Sequence, residues 1–416
     1  MSALLPFIPL LIAAGILLGG NGVMGTLIAL RGAEEGFSAA AIGIMGTSYF
    51  LGFLVSSMLV TRLLQAVGHI RAFATLAALA TIATIMMLLV IDNTAWIALR
   101  FVHGACFAGL FATIESWLNS GISNQVRGKV LALYRILDVA VVTGSQFLLP
   151  LFGTGGFVLF CVVSMMLCLS LVPVSLADRS NPVRPESHEF SLKLMWVISP
   201  MACIGCVSIG MTNAAFRLIG PLYAQEIGLS ITSVATFMTA GIVSGAVLQY
   251  PLGQLSDRYD RRWVLVAATL GATLSGLYLS FGAGTDPLLN YVGIFAFGAF
   301  ALPLYSLSAA HANDRADASQ YVLVAAGLMF FYGVGASIGP FAAALLIETF
   351  GPQALFNYTS IVHGSLIILT LVRMRQRESV PVGDRKGFQM LLRTSANMTK
   401  MTRSADEKAQ NKDSSG

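Results

Sequence analysis

Charged residues are scarce in this sequence. Asp, Glu, Lys and Arg together make up 11% of the 416 residues, whereas soluble globular proteins carry about 25%. Apolar residues reach 56%, and the mean hydropathy is +0.76. This composition excludes an ordinary soluble domain and is typical of a membrane protein, whose first partner is the lipid bilayer.

Motifs for ATP-driven work and for catalysis are absent as well. No G-x-x-x-x-G-K-[ST] sequence occurs, which argues against an ATP-driven pump. No H-E-x-x-H and no nucleophile with its base occur, although a membrane enzyme needs such a constellation. Cys203 and Cys206 form a lone C-x-x-C without the second pair or the histidines of a metal site. We therefore expect no enzyme, no cofactor, no metal and no nucleic-acid partner.

Long apolar stretches are present instead, and each approaches the ~20 residues that one membrane-spanning helix requires. There are twelve, near residues 6–30, 38–64, 72–91, 95–119, 129–150, 154–177, 195–223, 231–256, 263–283, 288–311, 320–346 and 354–372. They lack the period-two alternation of a β-barrel strand. The sequence therefore predicts an all-α membrane protein with both termini on one side.

The distribution of basic residues predicts which side that is. Of the 25 Lys and Arg, 11 lie in one set of alternating loops and ten follow residue 372, whereas the opposite set of loops holds only Arg31. Loops rich in Lys and Arg stay in the cytoplasm. The first apolar stretch lacks a basic n-region and a cleavage site, which indicates a retained helix. We expect both termini on the cytoplasmic side of a bacterial inner membrane.

The chain repeats itself at an offset of about 192 residues. A polar stretch, 178–194, separates residues 1–177 from residues 195–372, and each part holds six predicted helices. The pairs that share the offset are Asn21/Asn213, Glu34/Glu226, Gly36/Gly228 and Ser38/Ser230, and Gly104/Gly298 follow at 194. Parallel six-helix repeats are typical of transporters whose halves rock about a central site. We expect two pseudo-symmetric six-helix bundles joined by a cytoplasmic linker.

The tail, residues 373–416, differs in kind from the rest because it accounts for the whole net charge of +5. Its basic and apolar residues are interspersed at roughly helical spacing between 385 and 403. Two interpretations remain, a basic amphipathic segment on the anionic inner leaflet or disorder. We expect a cytoplasmic basic tail that is largely disordered.

A charged cluster between helices eight and nine carries a family resemblance. Residues 253–262 read G-x-x-x-D-R-x-D-R-R, which resembles the signature loop G-x-x-x-D-R/K-x-G-R/K-R/K of the major facilitator superfamily, with Asp260 in place of the second glycine. The resemblance implies a cytoplasmic gate made by Gly253, Asp257, Arg258, Arg261 and Arg262. The alternative is a solvated loop that follows the positive-inside rule. The first-half counterpart, residues 61–71, is degenerate, with Gln65 in the place of Asp257.

Helix four agrees with this resemblance. Residues 100–104 give R-x-x-x-G, with His103 one turn from Arg100 on the same face. Residues 115–146 and 248–258 resemble a bacterial subgroup of this superfamily whose substrates are unassigned. The Gly-Pro pair of the antiporter motif on helix five is missing, which weakens an efflux function.

The resemblance implies a secondary transporter of a small molecule that works as a monomer by alternating access with a proton as coupling ion. The alternatives are an efflux antiporter for drugs or metabolites, or a sensor or enzyme on the same fold.

Five ionisable residues fall inside predicted helices, where a charge costs about 2.5–3.5 kcal/mol on insertion scales and indicates function. They are Arg100, Glu115, Arg135, Asp138 and Arg217. Arg135 can pair with Asp138 at i, i+3 spacing or with Glu115 on the neighbouring helix. Three roles remain open for this group: a structural clamp, a proton or cation site at Asp138, or a gate.

Polar residues near the middle of other helices complete a candidate substrate pathway. Arg100 and Arg217 lie at similar depth, where they either attract an anionic substrate or reach the membrane interface. Three arginines against two acids favour an anionic or zwitterionic substrate. The full set of pathway candidates is Asn21, Tyr49, Arg100, His103, Asn213, Arg217, Gln249, Tyr305 and Tyr332.

Overall fold

The computed structural model describes residues 7–121, 124–176, 191–317 and 320–376, together with Val380 and Phe388. It contains twelve helices long and apolar enough to cross a membrane: α1 (Ile8–Glu34), α2 (Ala39–Val67), α3 (His69–Leu89), α4 (Asn93–Leu118), α5 (Ala132–Phe152), α6 (Val158–Leu176), α7 (Pro200–Glu226), α8 (Ile231–Arg258), α9 (Arg261–Phe281), α10 (Pro287–Asn313), α11 (Leu323–Phe350) and α12 (Ala354–Gln376). The predicted all-α, twelve-helix architecture is confirmed. The predicted linker and basic tail fall mostly outside the described residues.

The helices form two six-helix bundles, α1–α6 and α7–α12, and matching turns open the second helix of each. Ser38 caps α2 by accepting a hydrogen bond from the backbone N–H of Ala41 at 3.1 Å, and Ser230 caps α8 by accepting one from Ser233 at 3.2 Å. Two residues before each serine stands a glycine with positive φ, +80° at residue 36 and +89° at residue 228. Left-handed backbone favours glycine, and serine is a preferred N-cap. These local signals are why the sequence predicts both turns.

A close helix crossing also recurs in both bundles. A Cβ on Gly104 of α4 would collide with the carbonyl oxygen of Tyr49 in α2, and a Cβ on Gly298 of α10 would collide with that of Gly241 in α8. Small residues let membrane helices approach to backbone contact. The repeat seen in the sequence is therefore a repeat of helix packing.

Helix α10 is interrupted where it borders the centre of the molecule. In α10 the helix ends at Ala301 and resumes at Leu304, around Leu302 and Pro303. Proline has no backbone N–H to continue the hydrogen-bond ladder, which explains a break here. The break positions Tyr305 and Ser306 at the interface between the bundles.

The two bundles pack tightly at the face opposite the chain termini. There the Glu348 side chain of α11 accepts a hydrogen bond from the backbone N–H of Ala40 at 2.9 Å. One turn deeper, Gly43 of α2 lies against Phe341 and Ala344 of α11. We call this the opposite face, and the face where α1 begins and α12 ends the termini face. Contacts between α2 and α11 therefore close the opposite face.

Candidate functional site

A cavity of about 200 Å³ lies between the bundles. Its walls come from α1, α2, α4 and α5 of the first bundle and from α7, α8, α10 and α11 of the second. The same four helices of each repeat therefore contribute. Of the residues singled out in the sequence, the structure brings nine together on these walls: Asn21, Tyr49, Arg100, Arg135, Asp138, Arg217, Gln249, Tyr305 and Tyr332.

An ion pair and a bridge between the bundles occupy the part of the cavity nearer the termini face. The Arg135 guanidinium lies 3.3 Å from the Asp138 carboxylate, one turn away on α5. It also donates a hydrogen bond to Gln249 Oε1 of α8 at 2.9 Å. Gln249 in turn donates to the Ser306 hydroxyl of α10 at 2.6 Å. Arg135 thus joins a carboxylate of its own bundle to the polar network of the other.

A second cationic group lies nearer the opposite face. The Arg100 guanidinium carbon sits 4.4 Å from the centre of the Tyr49 ring, which is a cation–π geometry. The Tyr49 hydroxyl donates to Asn21 Oδ1 at 3.2 Å. Arg100, Tyr49 and Asn21 therefore join α4, α2 and α1 at one point of the wall.

His103 lies behind Arg100 and outside the cavity lining. Its Nδ1 is 3.3 Å from Arg100 Nη1, and its Nε2 is 3.3 Å from the Thr84 hydroxyl. Arginine only donates, so Nδ1 accepts and the proton sits on Nε2, which donates to Thr84. The Thr84 hydroxyl in turn donates a hydrogen bond to the Ala80 carbonyl at 2.9 Å. His103 is thus placed as a support that orients Arg100.

Two other singled-out residues lie away from the lining. Asn213 is 1% exposed, and neither of its amide atoms has a hydrogen-bond partner among the described residues. Glu115 is 3% exposed and lies nearer the termini face of α4. The expected symmetry of Asn21 and Asn213 therefore holds for their positions in the helices but not for their access to the cavity.

Sequence reasoning missed Gln146, whose amide ties α5 to α1 beside the cavity. Its Nε2 donates to the Gly22 carbonyl at 2.9 Å, and its Oε1 accepts from the Thr26 hydroxyl at 2.8 Å. All three residues line the cavity. The Gly-Ser-Gln sequence at residues 144–146 was visible, but only as part of a subgroup resemblance.

The charged loop on the termini face joins three helix ends of the second bundle. Arg261, at the start of α9, lies 3.1 Å from Asp257 at the end of α8 and 2.5 Å from Asp314 just beyond α10. Arg258 is exposed. Asp260 caps α9 by accepting from the Arg262 backbone N–H at 3.0 Å, and it pairs with the Arg262 guanidinium at 2.7 Å. The aspartate that replaces the signature glycine therefore has a capping role.

One residue of the tail contacts this loop. The Phe388 backbone N–H donates to both carboxylate oxygens of Asp257, at 2.9 and 3.0 Å. The Phe388 ring lies where a Cβ on Gly253 would be. The glycine of the signature loop therefore leaves room for a ring from the tail, and Asp257 is shared between Arg261 and Phe388.

Two six-helix bundles around a polar, charged cavity at their interface are the architecture of a class of membrane transporters built from two repeats. Two overlapping parts of the sequence, residues 10–244 and 201–405, match the Major Facilitator Superfamily, and the chain belongs to that family. An uncharacterized MFS-type transporter of Yersinia pestis (strain Pestoides F) is 26% identical over 361 residues, which cover 86% of this chain and 93% of that protein. The resemblance to the superfamily, and to a bacterial subgroup of unassigned substrate, is confirmed.

Solved structures share the fold. The nucleoside transporter NupG superposes with a TM-score of 0.77 at 11% identity, over 89% of this chain and all of that one. A bacterial homologue of the human lysosomal transporter Spinster, in an inward-facing and occupied conformation, superposes with a TM-score of 0.73 at 12% identity, over 91% of this chain and 98% of that one. At such identities the similarity concerns the fold alone.

Proposed function

We propose that this transporter moves a small molecule across a bacterial inner membrane by alternating access and that a proton gradient drives it. The distribution of Lys and Arg supports cytoplasmic termini. In that orientation the opposite face is periplasmic, so the conformation described is closed toward the periplasm. One chain supplies every wall of the cavity, which supports a functional monomer.

The contact that carries the proposal is Arg135 between Asp138 and Gln249. A charge-assisted bond between guanidinium and carboxylate is about twice as strong as a neutral one. Protonation of Asp138 removes its charge and loosens Arg135, which also forms the bridge to the second bundle. A proton taken up at Asp138 therefore changes a contact that must break and reform when the bundles rock. This links the protonation state to the conformational equilibrium.

The first test is uptake into proteoliposomes, across a panel of small metabolites, with and without an imposed pH gradient. We expect at least one compound to accumulate only with the gradient. Asp138→Asn removes the titratable group and keeps a hydrogen-bonding side chain, so it should abolish gradient-driven accumulation and retain exchange of internal for external substrate. Asp317→Asn, at an exposed aspartate outside the cavity, is the matched control.

The two variants separate coupling from binding. Accumulation that still follows the pH gradient in Asp138→Asn would overturn Asp138 as the proton site. Accumulation in the wild type that ignores the gradient would overturn proton coupling altogether. If Asp317→Asn loses both accumulation and exchange, removal of a carboxylate outside the cavity is enough to stop transport. The effect of Asp138→Asn would then not be specific to the cavity.

A further inference from the structure

We propose that the substrate is an organic anion and that Arg100, with Tyr49 and Asn21, forms the subsite for its carboxylate. The inference rests on the proposed transport function and names its substrate class. It depends on Arg100 and its neighbours, whereas proton coupling depends on Arg135 and Asp138. The two can therefore fail separately.

Arg100 carries a buried charge without a carboxylate partner. Its side chain is 4% exposed, its Nε has no hydrogen-bond partner, and no ion pair of the described residues includes it. Its contacts are the neutral Nδ1 of His103 and the face of Tyr49. Arginine stays protonated in proteins, and a buried charge is costly unless it is paired. Because Arg100 lines the cavity, an anion bound there would supply the missing partner.

The surroundings of Arg100 are built to hold it toward the cavity. His103, itself bonded to Thr84, accepts from one guanidinium nitrogen, and the guanidinium carbon lies over the Tyr49 ring. The Tyr49 hydroxyl binds the oxygen of Asn21, which leaves the Asn21 amide nitrogen as a further donor on the same wall. A planar guanidinium matches a carboxylate with two parallel hydrogen bonds.

The charge of the whole cavity favours the same substrate class. Its described lining holds three arginines, Arg100, Arg135 and Arg217, and one aspartate, Asp138. Asp138 already pairs with Arg135, and protonation would make the lining still more positive. A cavity with low-dielectric walls concentrates ions of the opposite sign. A cationic substrate would meet repulsion at both depths.

Aromatic side chains give the rest of the substrate an apolar environment. Tyr305 and Tyr332 of the second bundle meet edge to face, with ring centres 5.6 Å apart. Phe53 and Phe111 of the first bundle lie 6.5 Å apart, and all four line the cavity. Pockets for small organic molecules combine apolar walls with a few placed polar groups. The geometry therefore points to a carboxylate attached to a planar or apolar body.

The test compares carboxylates with their neutral amides on the purified full-length protein. Benzoate and phenylacetate are paired with benzamide and phenylacetamide, and a set of short aliphatic carboxylates is paired with its amides. At equal concentration, the ligand that binds the folded state more tightly raises the unfolding temperature more, because stabilisation grows with the logarithm of the ligand concentration divided by Kd. We expect at least one carboxylate to raise it more than its amide does. A panel in which no carboxylate exceeds its amide overturns the proposal without any variant.

Variants then assign the effect to Arg100. Arg100→Gln should weaken carboxylate binding about 10- to 100-fold, the range for losing a hydrogen bond to a charged group. Arg100→Lys should fall between, because lysine keeps the charge and loses the planar fork. The matched control Arg62→Gln, on the termini face outside the cavity, should bind as the wild type does. Unchanged binding in Arg100→Gln overturns the subsite.

Transport distinguishes this inference from the proposed function. Gradient-driven uptake of a neutral or cationic compound that Arg100→Gln leaves unchanged would overturn the anion subsite and uphold proton coupling. Arg100-dependent binding and exchange of a carboxylate that ignores the pH gradient would uphold the subsite and overturn proton coupling.

Discussion

The two bundles share their helix crossings but differ in the side chains placed there. Tyr49 and Gly241 occupy equivalent positions of α2 and α8, and the carbonyl oxygen of each meets a glycine of the facing helix. In the first bundle the Tyr49 hydroxyl binds Asn21. In the second, Gly241 has no side chain to offer, and Asn213 stays without a partner among the described residues. The repeat preserves the scaffold, while the polar contact beside this crossing is made in the first half.

Charge divides between the bundles in the same way. Three of the four charged residues of the described cavity lining belong to the first bundle, and Arg217 is the one from the second. The position in the first bundle that corresponds to Arg217 is Gly25, which packs against the Arg217 carbonyl. On the termini face the reverse holds, since Asp257 and Arg261 have Gln65 and His69 as counterparts. The first half supplies most of the charges of the described cavity lining, and the second half supplies the charged loop.

The largest effect is expected from breaking the crossing that the halves share. Gly104→Ala and Gly298→Ala each place a Cβ against a backbone carbonyl that cannot rotate away. Overpacking costs about 1–3 kcal/mol, and we expect both variants at the upper end, near 3 kcal/mol. Thermal unfolding of the purified protein measures it.

Gly144 provides the control for these two variants. It lies in α5, and a Cβ there would have no neighbour within 4 Å. Gly144→Ala should therefore be neutral or should stabilise the helix by about 0.5–1 kcal/mol. A Gly298→Ala variant as stable as the wild type, beside an unstable Gly104→Ala, would show that the crossings are not equivalent.

The asparagine pair gives the next largest difference. Asn213→Leu removes a buried amide without partners and keeps a similar volume, so it should raise the free energy of unfolding by about 1–3 kcal/mol. Asn21→Leu removes the hydrogen-bond acceptor of the Tyr49 hydroxyl and should not raise the free energy of unfolding. Thermal unfolding compares the two. A destabilised Asn213→Leu would contradict the absence of a partner, and a stabilised variant that no longer transports would show that Asn213 is used in the other conformation.

A third comparison concerns the starts of α3 and α9. Gly68 begins α3 with φ +80° and no side-chain cap, whereas Asp260 begins α9 with φ −60° and a side-chain cap. Gly68→Asp should cost about 1–2 kcal/mol because left-handed backbone is strained for residues with a Cβ. Asp260→Asn should cost no more than about 1 kcal/mol, because asparagine is an equally favoured N-cap and only the charge of the pair with Arg262 is lost. Equal costs, measured by thermal unfolding, would mean that the two starts do not differ as described.

Local signals explain how much of the fold could be predicted from the sequence. The lengths of the apolar stretches predicted the twelve helices. Ser38 and Ser230 indicated where two helices start, because an N-cap depends on only four neighbouring residues. Gly19 and Gly22 lie close together in α1, and glycines weaken an isolated helix. Instead α1 is continuous, and both glycines pack against α5, at Val141 and Val142. A glycine that is flexible alone is a packing surface when another helix covers it.

The site needed information that the sequence does not carry locally. The residue types of the cavity were visible as charges in apolar stretches. Their pairing was not, because the Arg135–Gln249 bond joins residues 114 positions apart. The burial of Asn213 was missed because the repeat fixes a position along the helix and not the packing around it. The Asp257–Phe388 contact spans 131 positions and was invisible for the same reason.

The smallest effect is expected from the contact between the second-half loop and Phe388 of the tail. Phe388→Ala removes the ring from Gly253 and weakens the hold on Asp257, a half-exposed carboxylate, so the free energy of unfolding should fall by no more than about 1 kcal/mol. Tail release should be easier to detect than stability. Trypsin should cut at Lys386, two residues before Phe388, several-fold faster in this variant.

The loop variants complete this comparison between the halves. Asp257→Ala removes the acceptor of the Phe388 backbone N–H, whereas Phe388→Ala keeps that N–H and removes the ring that lies against Gly253. Each change should speed cleavage at Lys386, and the double variant should add little, because both changes release the same residue from the loop. Arg62→Gln, at an exposed residue on the termini face of the first half, should leave the cleavage rate unchanged. Equal acceleration by Arg62→Gln would mean that the tail responds to any disturbance of the termini face. If the effects of Asp257→Ala and Phe388→Ala on the cleavage rate add, Asp257 and Phe388 affect the tail independently. The two loops would then differ in their charged residues and not in a shared contact with the tail.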